Sequence, residues 1–362
     1  MCTGKYCHFG FMEGLRLSLK NVSRIPDTLE FIVNVDGLPL TKSTTDQFWP
    51  ILCCVRNCGK LDPFPVGVFY GQCKALDANI FLEPFVAELK EALEQGVLIE
   101  GKVVNVELSA IVCDAPAKSY ILSIKGHTGY FSCTKCTVKG TYSNGRMSFP
   151  ELEAPLRTDK DFRCSLQEGH HTGETILKEL PIDLVKQVPL DYMHLVCLGV
   201  VKKILWFRGS KTYRLGNAVR DEMSRKCVEL AQFVASDFSR KPRTFSDLDR
   251  WKATEFRMFV LYNGPLILAK CLPESMYKNV MVLHCGLAIL ASTSPSEDFL
   301  CYAERLLVFF VRTYISIYGE SAVSHNVHGL IHLGQDVRTH GPLEMWSSFP
   351  FENFMQSMKK MK

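Results

Sequence analysis

Apolar and polar residues follow two rhythms along this chain, and the change falls near residue 116. In the first third, residues 31–36, 50–55 and 66–70 are short β-prone runs separated by turn-rich segments such as Asp36-Gly37-Leu38-Pro39 and Lys60-Leu61-Asp62-Pro63. Three such runs joined by short links predict an antiparallel meander. Leu82, Phe85, Val86, Leu89 and Leu93 then recur at helical spacing up to Gly96, which predicts a helix over 82–95 with its apolar stripe packed on the meander. After it, Val104, Val106, Leu108, Ala110 and Val112 alternate with Asn105, Glu107 and Ser109. That alternation predicts a fourth, longer strand ending at Asp114, giving the order βββαβ.

Between residues 180 and 340 the rhythm is helical. The segments 192–207, 218–235, 254–270, 275–291, 297–318 and 324–337 each carry apolar residues at 3.6-residue spacing. The stretch 139–179 is rich in Gly, Ser, Pro, Thr and charge and reads as a linker, and a short helix after Pro350 carries Glu352. The expected class is α/β, a mixed sheet interrupted by a large all-helical insertion.

Composition narrows the setting. With 362 residues and 47% hydrophobic content, the chain has the makeup of a soluble globular protein. No apolar run reaches the roughly 18 residues that span a bilayer, and Met1-Cys2-Thr3-Gly4-Lys5 leads into no signal-peptide core, so the expected location is inside the cell with no membrane partner. In a reducing compartment the 15 cysteines read as buried thiols or metal ligands. The net charge of +4 permits nucleic-acid binding without arguing for it, which leaves the case to local basic clusters.

Candidate chemistry rests on acids, on Cys and His pairs, and on those clusters. Asp36 and Asp114 end strand-like runs and Glu352 sits on the last short helix; converging carboxylates of this kind can hold two Mg²⁺ or Mn²⁺ for phosphodiester cleavage. Taken singly, Asp36 also reads as a turn residue, Asp114 as a helix cap and Glu352 as a surface carboxylate. Cys133-Thr134-Lys135-Cys136 is a C-x₂-C pair, and His328 and His332 stand one helical turn apart, together a Cys₂His₂ set of structural-zinc type. His127, Cys164, His170, His171 and His194 compete as ligands. Arg240, Lys241 and Arg243, with Arg250, Trp251 and Lys252, form one basic cluster, and Lys202, Lys203, Arg208, Lys211 and Arg214 form another. These read as phosphate contacts with Trp251 or Trp206 stacking on a base, or as solvated helix faces around a core tryptophan. No His-Glu-x-x-His sequence points to a small-molecule metalloenzyme.

The strings Val35-Asp36-Gly37, Leu82-Glu83-Pro84-Phe85 through Glu88-Leu89-Lys90-Glu91 to Gly96-Val97, and Cys113-Asp114-Ala115-Pro116-Ala117 resemble the catalytic region of CACTA (En/Spm-type) DDE DNA transposases. So do Lys125-Gly126-His127-Thr128-Gly129 leading to Cys133 and Cys136, Asp191-Tyr192-Met193-His194, and His328-Gly329-Leu330-Ile331-His332 leading to Phe349-Pro350-Phe351-Glu352. The resemblance runs from residue 30 to 362 and extends in plan to Transib transposases and the V(D)J recombinase catalytic subunit. It implies an RNase H-like core: 1–28 a leader, 29–126 the first part of the core, 127–345 a zinc-pinned helical insertion, and 346–362 a core helix with the catalytic Glu.

The same resemblance implies that Asp36, Asp114 and Glu352 form the catalytic triad and hold two Mg²⁺ or Mn²⁺ ions. It implies that Cys133, Cys136, His328 and His332 hold one structural Zn²⁺. The implied activity is cleavage and joining of double-stranded DNA, both transposon ends and target, in the nucleus, with a homo-oligomer as a possible assembly. Against the family pattern the sequence stops at Lys362 without a longer basic C-terminal region, and the stretch before Asp36 is short for a separate terminal-repeat-binding domain, which leaves a fragment, a decayed copy or a domesticated protein open. The alternative is therefore a domesticated or decayed derivative acting as a zinc-stabilised, non-catalytic DNA- or protein-binding module.

Overall fold

A computed structural model describes residues 4–41, 43–59, 61–206 and 215–360. The chain divides into two units, the first comprising Met1–Thr137, Leu156–Asp191 and Met345–Lys362, the second Val138–Pro155 and Tyr192–Glu344. In the first unit the chain runs through β1 (Gly4–His8), α1 (Phe11–Leu19), β2 (Thr28–Val35), β3 (Leu38–Pro39), β4 (Gln47–Val55) and β5 (Phe64–Gly71). It continues through α2 (Ala78–Gln95), β6 (Val97–Ile99), β7 (Lys102–Val112), α3 (Ala115–Ile121) and α4 (Asp159–Arg163).

Among the described residues these strands form a seven-stranded sheet of order β1-β5-β4-β2-β7-β6, with β3 on β4. Strands β2, β4 and β5 are the expected antiparallel meander. Strand β7 joins β2 in parallel, and a parallel neighbour needs a crossover, which here contains α2. Phe31, Val33 and Val35 on alternate positions of β2 share one core with Phe81, Leu82, Phe85 and Leu89 of α2. Burying each such side chain contributes about 1.5–3 kcal/mol. The helix begins where the Asp77 side chain accepts from the Asn79 amide at 2.7 Å and ends at Gly96, whose φ of 73° suits a residue without Cβ.

Two expected boundaries are corrected by packing. Within the expected leader over 1–28, β1 pairs with β5 from Gly4↔Gly71 to His8↔Gly67, and α1 buries Phe11, Leu15 and Leu19 in the sheet's core. The expected linker and the start of the expected insertion largely belong to the sheet unit. Leu177, Leu180, Ile182, Leu184, Val185 and Val188 enter the same core, and the Gln187 backbone carbonyl accepts from the Ile111 amide at 2.8 Å. Their spacing mixes helical steps (177, 180, 184, 188) with alternation (180, 182, 184), so no single period marks the stretch as one element.

The second unit contains a hairpin of β8 (Thr141–Ser143) and β9 (Arg146–Ser148), so the expectation of an all-helical insertion is also corrected. Its helices are α5 (Lys202–Trp206), which continues a π-helical stretch over Met193–Val201, α6 (Asn217–Ala231), α7 (Ala253–Met258), α8 (Gly264–Leu268), α9 (Glu274–Ala291), α10 (Glu297–Tyr318), α11 (His325–Gly329) and α12 (Leu333–His340). Helix α10 matches the expected 297–318, and its buried Leu307, Phe310 and Val311 share the interior with Leu283 and Leu287 of α9. The expected helices 254–270 and 324–337 are each divided, the first by a π turn over Phe259–Asn263 and the second by a 3₁₀ turn over Leu330–His332. The last element, α13 (Phe349–Lys360), returns to the first unit. No helix among the described residues is long and apolar enough to cross a membrane.

Candidate metal centres

The parallel register of β2 and β7 decides where two of the three acids emerge. Asn34 pairs with Val112, and two residues further along each strand come Asp36 and Asp114, at the same end of the sheet. The buried Asn34 ties these ends together by donating from Nδ2 to the Val112 carbonyl at 2.8 Å. Asp36 is only 8% exposed, and its Oδ1 accepts from the Gly37 amide at 2.7 Å. Glu352 lies in the first turn of α13, half-buried, with a carboxylate oxygen within 4.8 Å of one of Asp36. Asp114 is different: its Oδ1 accepts from the Ala117 amide at 2.7 Å and caps α3, and among the described residues it stands outside that close grouping.

Oxygen donors at such a spacing suit a hard cation, which favours carboxylates and water over nitrogen or sulfur. Two carboxylates this close repel when both are charged, and a cation beside them weakens that repulsion.

The Cys and His residues form a contrasting set. Cys133 and Cys136 are both buried, with their Sγ atoms 3.5 Å apart. Their loop is held by Arg157, whose Nε donates to the Cys133 carbonyl at 2.9 Å and whose backbone amide donates to the Lys135 carbonyl at 2.9 Å. Lys135 Nζ in turn donates to the Val185 carbonyl at 2.7 Å. His328 and His332 are also buried, with Nε2 atoms 3.4 Å apart. His328 Nδ1 lies 3.1 Å from the Phe149 carbonyl, which fixes the proton there and leaves Nε2 as the donor for a metal. Together the two buried pairs make up a Cys₂His₂ ligand set that could hold a metal such as zinc.

The competing residues His127, Cys164, His170, His171 and His194 are not part of that cluster. His170 has a structural role instead: Nδ1 bonds the Phe131 carbonyl at 2.6 Å, the ring packs on Phe162, and burial pushes its pKa down to about 3, so it is neutral.

The basic clusters divide. Trp251 is buried against Phe245, Phe256 and Phe259 with its indole N–H on the Thr244 carbonyl, so the base-stacking reading is corrected in favour of a core tryptophan. Arg243 is held by Glu255 through Nε–Oε1 at 2.6 Å and Nη2–Oε2 at 2.8 Å, and a phosphate would have to displace that buried carboxylate. Arg240, Lys241, Arg250 and Lys252 are exposed. In the other cluster Lys203 donates to the Ala322 carbonyl and burial lowers its pKa to about 8, while Arg208, Lys211 and Arg214 lie outside the described residues. Compared with protein-family models and with curated proteins, the sequence matches none.

Proposed function

We propose that this chain is a transposase-like polynucleotidyl transferase of the DDE type, built on an RNase H-like core, that cuts and joins DNA strands with the help of divalent cations. The observation that carries the reading is the approach of the Asp36 and Glu352 carboxylates to within 4.8 Å at the strand end whose parallel neighbour finishes at Asp114. The β2–β4–β5 meander followed by α2 and the parallel β7, and the long chain between Asp114 and Glu352, support the same fold assignment.

In this reading Asp36, Glu352 and the Asp114 Oδ2 left over from helix capping are the ligands of two Mg²⁺ or Mn²⁺ ions. Such ions, when bound, stabilise charge on the attacking and leaving oxygens of an in-line phosphodiester displacement. The protein's part is positional. The Gly37 amide holds one oxygen of Asp36 and the Ala117 amide one oxygen of Asp114, which orients the second oxygen of each. Water attack at the element's ends frees a 3′-hydroxyl, and that hydroxyl attacks a target phosphodiester at the same centre, with no covalent enzyme intermediate. Double-stranded DNA is the substrate, the nucleus is the compartment, and exposed Arg240, Lys241, Arg250 and Lys252 supply salt-dependent phosphate contacts. The Cys₂His₂ cluster, with four protein ligands, holds a structural Zn²⁺.

One observation favours a second reading. Asp114 is engaged as a helix cap and lies outside the close Asp36–Glu352 grouping, as in a derivative that keeps the fold and zinc but no longer cuts. A strand-cleavage assay on end-labelled duplex DNA with Mg²⁺ or Mn²⁺ separates the two. The transferase reading expects metal-dependent nicks with 3′-hydroxyl ends that disappear in Asp36→Ala. Cleavage that survives this substitution sinks it, and no cleavage by the wild-type protein selects the second reading.

A further inference from the structure

The motif Asp191-Tyr192-Met193-His194 opens with a residue that is buried, 3% exposed, beside the helix that carries Glu352. Asp191 Oδ1 accepts from the Ser348 amide at 2.8 Å, and the carbonyl of that fully buried Ser348 accepts from the Glu352 amide at 2.9 Å. Ser348 immediately precedes α13, so its amide is among those that a helix start leaves without an intrahelical partner. A side chain 157 residues earlier in sequence supplies the acceptor.

The other end of this connection reaches the elements around the remaining acid, Asp114. Lys118, one turn after Asp114 on α3 and 4% exposed, donates its Nζ to the carbonyls of Val188 and Pro189, just before Asp191. Gln187 bonds β7 twice, through its carbonyl to the Ile111 amide and through Nε2 to the Leu108 carbonyl at 2.5 Å. The stretch 187–191 is thus fixed to the strand and helix flanking Asp114 at one end and to the start of the Glu352 helix at the other.

We propose that Asp191 is a positioning residue for the metal centre: its carboxylate sets the start of α13, and thereby the distance from Glu352 to Asp36. The proposal rests on the reading of Asp36 and Glu352 as cation ligands. A hydrogen bond from a buried backbone amide to a carboxylate is charge-assisted and short, which gives it the stiffness a positioning role needs. An error of about 1 Å in a ligand helix costs on the order of 10²-fold in a reaction that depends on geometry.

The test is a calorimetric titration of Mn²⁺ into the purified full chain, run on the wild type, Asp191→Ala, Asp191→Asn and Glu352→Gln, with backbone amide exchange followed over residues 348–352. Asp191→Ala is expected to weaken Mn²⁺ binding about tenfold and to speed exchange at Ser348 and Glu352. Asp191→Asn keeps an acceptor oxygen in the same place and is expected to restore both to within about threefold of the wild type. Wild-type Mn²⁺ affinity in Asp191→Ala, with Glu352→Gln weakened, overturns the positioning role and leaves the ligand reading intact. Unchanged affinity in Glu352→Gln overturns the ligand reading itself. If Asp191→Ala does not fold, Asp191→Asn decides alone: near wild-type affinity with protected amides supports positioning, and a loss beyond tenfold makes the carboxylate a ligand and overturns it.

Discussion

The carboxylate centre and the Cys₂His₂ cluster differ in donor, in burial and in what each leaves open. Glu352 is half-buried and Asp36 keeps a little exposure, and both offer only oxygen; all four Cys and His residues are buried and offer sulfur and nitrogen. Oxygen sites of this sort keep water on the metal and exchange it, whereas a closed tetrahedral sulfur and nitrogen site has no position for substrate. On the proposed reading the difference divides the labour between them: chemistry is assigned to the open acids, and stability to the closed cluster.

The comparison breaks most visibly in stability. Cys136→Ser, which removes a soft ligand, should release the bound zinc and cost more than about 4 kcal/mol of unfolding free energy, read by metal analysis and chemical denaturation. A variant with full zinc content and wild-type stability would remove the structural role. Arg157→Gln should cost less, roughly 1.5–3 kcal/mol, because it loses the bond from Arg157 Nε to the Cys133 carbonyl and loosens the loop without removing a ligand. Retained zinc with a faster off-rate is the expected signature.

Next comes a pH effect on the sheet side of the same loop. His170 has its pKa lowered from 6.5 to about 3, chiefly by burial and then by Arg157. The unfolded chain takes up a proton near 6.5 that the folded chain refuses until about 3, so this contribution is present above 6.5 and lost as pH falls through that window. The slope should reach about 1.4 kcal/mol per pH unit, and denaturation of His170→Phe at several pH values should flatten it.

The smallest stability change belongs to the acids. Asp36→Asn removes a charge facing Glu352, so without divalent cations stability should stay level or rise by up to about 1 kcal/mol, while strand cleavage falls on the order of 10³-fold. A large loss of stability in Asp36→Asn would turn the acid pair into a structural element.

Alternation in β7 and helical spacing in α2, α9 and α10 made the meander, its crossover and most of the second unit legible, because those elements bury one regular face. The N-terminal β1–α1 pair and the stretch 156–191 were not, since β1 is stabilised by backbone pairing with β5 and the stretch by scattered apolar anchors. Asp36 and Glu352 were named from sequence, but their approach depends on a fold that brings residues 316 positions apart together. Trp251 misled because a tryptophan between Arg250 and Lys252 looks exposed until Phe245, Phe256 and Phe259 close around it. Asp191 appeared only as a motif letter, because its bond to the Ser348 amide joins residues that no local pattern relates.

The central claim, that Asp36 and Glu352 together bind a divalent cation, is tested most directly by electron paramagnetic resonance titration of Mn²⁺ into the zinc-loaded wild type, Asp36→Asn and Glu352→Gln. The account predicts that each substitution alone weakens the binding by tenfold or more while zinc content stays constant. Equal Mn²⁺ affinity in all three proteins would contradict it.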